Sequence, residues 1–226
     1  MKRTKLADRQ LPDYTRGEEI FNFVSHTVGG VFAVVALVMC VAVAAYHANV
    51  WGIVSGSIYG VTMVMLYTVS SVYHGITPVL AKKVLQVIDH CTIFLLIAGT
   101  YTPITLVGFR KLSPWLGWGV FGLIWFFAIL GIVLTAIDWK KYSVFAMICY
   151  LGMGWCAVLF VKQIVTLVGS LGTLFLVIGG VSYTVGAVLY VLGRKHRYFH
   201  SIFHLFVVAG SVMHFLMILV CIMPMK

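Results

Sequence analysis

Long, nearly uninterrupted apolar runs alternate along this chain with short clusters of charge, Pro and Gly. Seven runs can be delimited: Val24 to His47, Gly52 to His74, Val87 to Gly108, Trp115 to Ile137, Ser143 to Val161, Leu171 to Gly193 and Ser201 to Met223. Each has about 20 residues, the length a helix needs to cross the roughly 30 Å hydrocarbon core of a bilayer. Barrel strands would alternate over about ten residues, and these runs do not. The pattern predicts an all-α integral membrane protein, a single seven-transmembrane-helix bundle over residues 24–226, preceded by a cytoplasmic segment, residues 1–23.

Composition sharpens this picture by exclusion. Of 226 residues, 62% are hydrophobic and 10% charged, which leaves no length for a separate soluble catalytic domain. Any chemistry must lie inside the bundle or at its edge. The first 23 residues are mixed and charged and lack the apolar core of a secretory signal. The five cysteines all fall in apolar stretches without a C-x-x-C pair, and read as packed thiols.

The 16 Lys and Arg against 6 Asp and Glu give a formal net charge of +10. Sorted by alternate loops, Lys2, Arg3, Lys5, Arg9, Arg16, Lys82, Lys83, Lys140, Lys141, Arg194, Lys195 and Arg197 fall on one side; Arg110, Lys111, Lys162 and Lys226 fall on the other. This asymmetry predicts a cytoplasmic N-terminus and an outside C-terminus. Trp51, Trp115 and Trp118 on the outer side and Trp139 on the inner side suit interfacial positions. The basic excess then meets anionic inner-leaflet headgroups, with no call for a nucleic-acid partner.

Polar groups at membrane depth are costly and usually paired or functional. With this topology His74 ends the second span, Asp89 opens the third, and His200 and His204 open the seventh, all in one cytoplasmic layer. His200 and His204 are four apart and share a helix face, as do Ser70 and His74. Ser70 lies eighteen residues, five helical turns, beyond Gly52, so the stripe Gly52-x-x-x-Gly56-x-x-x-Gly60 and the Ser70/His74 pair occupy one face. Three neutral imidazoles form a zinc-type donor set, with an open fourth position in catalytic sites. Asp89 and Ser70 then act beside that position, or Asp89 closes it as a fourth ligand in a structural clamp. Glu19, Asn22 and His26 share one face at the inner end of span one, a structural or gating polar cluster. His214 lies about 15 Å deeper than His204, facing a cavity or bonding another helix. His90 and Cys91 point away from the Asp89 face, and Tyr183 and Tyr190 read as packing residues.

Taken in order, Glu19-x-x-Asn22-x-x-x-His26, Ser70-Ser71-x-x-His74, Asp89-His90, Ala98-Gly99-Thr100-Tyr101-Thr102-Pro103, His200-x-x-x-His204, Gly210-Ser211 and His214-Phe215 resemble the motifs of the hemolysin III family, the bacterial branch of the progestin and adiponectin receptor (PAQR) family. The likeness runs from Glu19 to the last span. It implies a seven-helix bundle in a bacterial inner (plasma) membrane, with zinc held by His74, His200 and His204 and with Ser70 and Asp89 beside the metal's water. It also implies a role in membrane homeostasis and kinship with membrane metal-dependent hydrolases.

Three functions follow as expectations. The first is a zinc-dependent hydrolase of an amide or ester in a membrane lipid or lipid-like substrate, with Asp89 and Ser70 as catalytic residues. The second is a non-enzymatic membrane sensor or regulator in which zinc clamps helices two and seven. The third, a pore-forming cytolysin, ranks last, because the chain has no ring of like charge and no long amphipathic insertion element.

Overall fold

The computed structural model describes residues 4, 6–193 and 195–225, so Lys2, Arg3, Lys5, Arg194 and Lys226 of the charge tally lie outside the described residues. The apolar runs form helices throughout, and the described residues contain no strand. The principal helices are α1 (Arg16–Tyr46), α2 (Val50–Gly75), α3 (Val79–Pro103), a short α4 (Arg110–Leu112), α5 (Pro114–Trp155), α6 (Val161–Leu192) and α7 (Phe199–Met217). A π-helical turn, Ile104–Phe109, follows Pro103 and carries α3 into α4; another, Ile218–Ile222, extends α7. Five continuous helical stretches are long and apolar enough to cross a membrane.

One of these, Pro114–Leu192, is 79 residues long and is broken at two positions. Asp138 leaves helical geometry at φ −154° and ψ 91°, and Gly169 does so at φ 65° and ψ −171°, a left-handed value suited to glycine. The Asp138 carboxylate accepts from the Lys141 amide at 3.2 Å, capping the helical leg that follows.

Contacts with α3 reveal that the chain reverses at each break. Before Asp138, Trp125 Nε1 donates to Thr102 Oγ1 at 3.1 Å, while Gly131 packs on the Phe94 ring, so this leg runs antiparallel to α3. After it, Tyr150 donates to the His90 carbonyl at 2.8 Å and Tyr101 to the Gly154 carbonyl at 3.0 Å, so the second leg runs parallel. Beyond Gly169 the direction turns again. Leu167 lies against Gly108 just before the break, whereas Tyr190 reaches His90 near the end of α6.

The glycine stripe of α2 supplies the close approach its spacing predicts. A Cβ on Gly60 would lie 2.5 Å from Leu37 Cδ1 and 2.8 Å from its Cα, and one on Gly56 would lie 3.3 Å from Cys40 Cβ. Helix α1 therefore seats directly on the α2 face that ends in His74. Large apolar side chains point outward, Val31 being 66% exposed, while Asn22, Ser70, His74 and His204 are buried. This inverted distribution suits a lipid surround. All five cysteines are free thiols.

Candidate metal centre

His74 at the end of α2 meets His200 and His204 in the first turns of α7. One ring nitrogen from each lies within 4.8 Å of the others, and all three residues are buried. His200 Nε2 and His204 Nε2 are 3.1 Å apart. Metal–nitrogen bonds of 2.1 Å at a tetrahedral ion would set neighbouring nitrogens about 3.4 Å apart, so this pair stands close to a chelating separation.

Helix α1 organises the third ligand. His74 Nδ1 lies 2.6 Å from Glu19 Oε2, whose other oxygen lies 2.7 Å from Lys82 Nζ. A carboxylate only accepts, so Nδ1–H donates and the lone pair falls on Nε2. His74 Nε2 is buried and has no hydrogen-bond partner in the protein. A buried unpartnered lone pair beside two more imidazole nitrogens fits a metal of the zinc, copper, iron or nickel kind. Glu19–His74 is the carboxylate–histidine pairing that orients such ligands.

The remaining α1 residues pack around this centre. Asn22 Nδ2 approaches His74 Nδ1 at 3.5 Å, Ser25 Oγ approaches His204 Nδ1 at 3.5 Å, and the His26 ring stacks on His204 with centroids 3.7 Å apart. Glu19, Asn22 and His26 thus form the wall behind the three histidines. Asp89 lies outside the three-histidine set, and its side chain is hydrogen-bonded to Ser70.

A cavity of about 1130 Å³ extends from this region between α3, α5, α6 and α7. Ser70, Asp89, His26, His200 and His204 line its polar end, Ile97, Leu151 and Val207 its apolar body, and His214 its deeper part. His214 also donates from Nε2 to the Leu176 carbonyl at 3.2 Å. His90 lines the same cavity on a different side from Asp89: its Nε2 lies 3.1 Å from the Tyr190 hydroxyl and its ring packs on Trp139, whereas Asp89 is bonded to Ser70. Nδ1–H of His90 is committed to the Gln86 carbonyl at 2.7 Å, so in this contact Tyr190 is the donor.

Two contributors were absent from the sequence reading. Tyr14, before α1, stacks on His200 with centroids 4.9 Å apart and faces the cavity. Burial, and after it Tyr73, Tyr190, Glu19 and Asp89, raise the Tyr14 pKa above its ordinary value, keeping a phenolic O–H at the site. Glu18 closes a capping box with Thr15 and also accepts from the Tyr198 amide at 2.7 Å, tying the start of α1 to the start of α7. Thr15-x-x-Glu18 is a legible capping signal. No local pattern announces Tyr14, whose place depends on the chain folding back over the cavity.

Fold and site together define a multi-pass helical membrane protein with a buried three-histidine centre at one end of an internal cavity. The family model described as "Haemolysin-III related" matches residues 14–215, and the chain belongs to that family. It is 35% identical over 207 residues to Hemolysin-3 of Bacillus cereus, covering 92% of this chain and 93% of that protein. It is 36% identical over 206 residues to the Hemolysin-3 homolog of Bacillus subtilis (strain 168), covering 91% and 95%. A more distant likeness, 28% over 172 residues, links it to the human Monocyte to macrophage differentiation factor, covering 73% of this chain and 69% of the human protein.

Proposed function

We propose that this protein is a zinc-dependent membrane hydrolase that cleaves an amide or ester bond of a lipid at the inner leaflet of a bacterial plasma membrane, in membrane homeostasis. One observation carries the reading: the three-histidine cluster opens, through His200 and His204, onto the same largely apolar cavity as the hydrogen-bonded Asp89 and Ser70.

Seven crossings underlie the proposal. At 1.5 Å per residue, the 79-residue stretch would run about 120 Å as one helix, roughly four times the hydrocarbon thickness. Its two reversals support three crossings, which with α1, α2, α3 and α7 make seven. An odd number sets the termini on opposite sides, and the basic-residue asymmetry supports a cytoplasmic N-terminus.

Bound zinc would activate a water and polarise the substrate carbonyl. The chain's own part is distinct. Glu19 holds the His74 tautomer that exposes Nε2, Asp89 takes the proton of the attacking water, and Ser70 orients the Asp89 carboxylate. The apolar part of the cavity receives a lipid chain and keeps bulk water from it.

The test is turnover by purified, zinc-loaded protein against a panel of inner-membrane lipids and their amide and ester analogues. Asp89→Asn is expected to lower the rate by about 10²- to 10⁴-fold with metal content unchanged. Zinc-replete protein without turnover, together with an Asp89→Asn strain of unaltered phenotype, would reject the hydrolase. A second reading, a structural clamp, is favoured by the ligands' origins at the end of α2 and the start of α7. It requires His74→Ala to lower thermal stability while Asp89→Asn and Ser70→Ala leave function intact.

A further inference from the structure

The mouth of the cavity has a charge character that the three-histidine centre does not use. Arg9, Lys140, Lys195 and Arg197 line it, together with Asp8, Asp13 and Glu18. These come from four separate places: the segment before α1, the first turn of α1, the break at Asp138, and the turn before α7. Internal pairing consumes only part of the charge. Arg197 pairs with Asp13 at 3.1 Å and with Glu18 at 3.3 Å, and Glu18 also holds the Tyr198 and Thr15 amides. Asp138, which feels the charge of Arg9, already accepts from the Thr4 and Lys141 amides.

Arg9 is the telling residue. It is only 7% exposed, and its Nε is buried without a hydrogen-bond partner. Asp138 answers its charge, but a guanidinium withdrawn from water with an N–H left unbonded is costly until a further acceptor completes its hydrogen bonds. Lys140 and Lys195, in no ion pair among the described residues, stand on the same rim. With Arg197 answered by Asp13 and Glu18, and the charge of Arg9 answered by Asp138, the two lysines face one remaining acid, Asp8, beside an apolar chamber. A ligand matching this arrangement has an anionic head and a hydrocarbon body.

We infer that the cavity mouth is a headgroup site for an anionic phospholipid, with Arg9, Lys140 and Lys195 binding its phosphate and the chamber below taking an acyl chain. Arg9 supplies the planar fork suited to phosphate oxygens, and the two lysines supply point charge. The inference rests on the lipid-cavity part of the proposed function and names its substrate class; it does not depend on hydrolysis.

The experiment is a binding titration of the full-length protein in neutral detergent with a phosphatidylglycerol, a phosphatidylcholine of the same chains, and inorganic phosphate alone. Phosphatidylglycerol is expected to bind more tightly than phosphatidylcholine, by about fivefold for each basic group engaged. Arg9→Gln should remove about fivefold of that preference and the double variant Lys140→Gln/Lys195→Gln about 25-fold, with metal content unchanged. Lys141→Gln, beside the rim but outside the cavity lining, should retain the preference. Equal affinity for the two lipids overturns the headgroup site while leaving lipid binding in place. Binding of neither lipid overturns both. Full competition by phosphate alone shows a free-anion site and rejects the lipid assignment; a loss in Lys141→Gln matching that of the double variant shows general surface charge and rejects the site.

Discussion

Replacing Glu19 by Ala tests how the centre is organised. The carboxylate holds His74 Nδ1–H at 2.6 Å and thereby leaves Nε2 as the lone-pair nitrogen facing His200 and His204. In its absence Nδ1 keeps a contact with Asn22 Nδ2, at 3.5 Å, which is a donor. That donor favours the opposite tautomer, with the proton on Nε2, where a metal must bind. Loss of such a supporting partner typically weakens metal affinity by 10- to 100-fold, about 1.4–2.8 kcal/mol. The Glu19–Lys82 half of the network lies nearer solvent, the side chains being 21% and 14% exposed, and contributes about 1 kcal/mol at most. Competition against a chromophoric zinc chelator measures the affinity, and nitrogen NMR of labelled histidine reads the tautomer. Glu19→Gln should fall between wild type and Glu19→Ala, because the amide oxygen still accepts but carries no charge. An affinity in Glu19→Ala within about threefold of wild type would refute the tautomer argument.

Other substitutions probe the scaffold. Gly60→Ala places a methyl group 2.8 Å from the Leu37 Cα and should cost about 1–3 kcal/mol, whereas Gly119→Ala, with nothing within 4 Å, should cost nothing; thermal unfolding of both in one detergent checks the contrast. Ala48→Gly should raise stability by about 1 kcal/mol, because this exposed residue sits at φ 54° beyond the end of α1; an unchanged unfolding midpoint would count against it. Glu18→Ala should cost about 1–2 kcal/mol by removing the cap and the tie to Tyr198, and should also weaken metal binding by loosening α7 against α1; chelator competition alongside unfolding separates the two losses.

Much of the architecture was legible because its physical causes are local. Apolar runs of bilayer length fold as helices, since a backbone in hydrocarbon must satisfy its own hydrogen bonds. Spacing of four on a helix guarantees a shared face, which brought His200 with His204 and aligned the glycine stripe with His74. The break at Asp138 was readable as charge and polarity between two apolar runs, although only the backbone reveals it as a cap. Gly169 likewise falls between two delimited runs, after Val161 and before Leu171, where Lys162 and Gln163 interrupt the apolar pattern, but only the backbone shows that the reversal is made at the glycine rather than at the charge.

Sequence alone therefore determined a helical membrane bundle and the set of polar residues that lipid would not tolerate unpaired. The division of labour among those residues was decided by tertiary structure. Glu19, Asn22 and His26 form one face on paper, yet in space Glu19 grips His74, Asn22 stands beside the same nitrogen, and His26 stacks on His204. Tyr14 and Arg9 carry no motif and enter the cavity only because the segment before α1 folds back across its mouth. The reason is range: helical phase fixes which residues share a face within one element, whereas pairing between elements depends on the packing distance and rotation that bring two distant faces together.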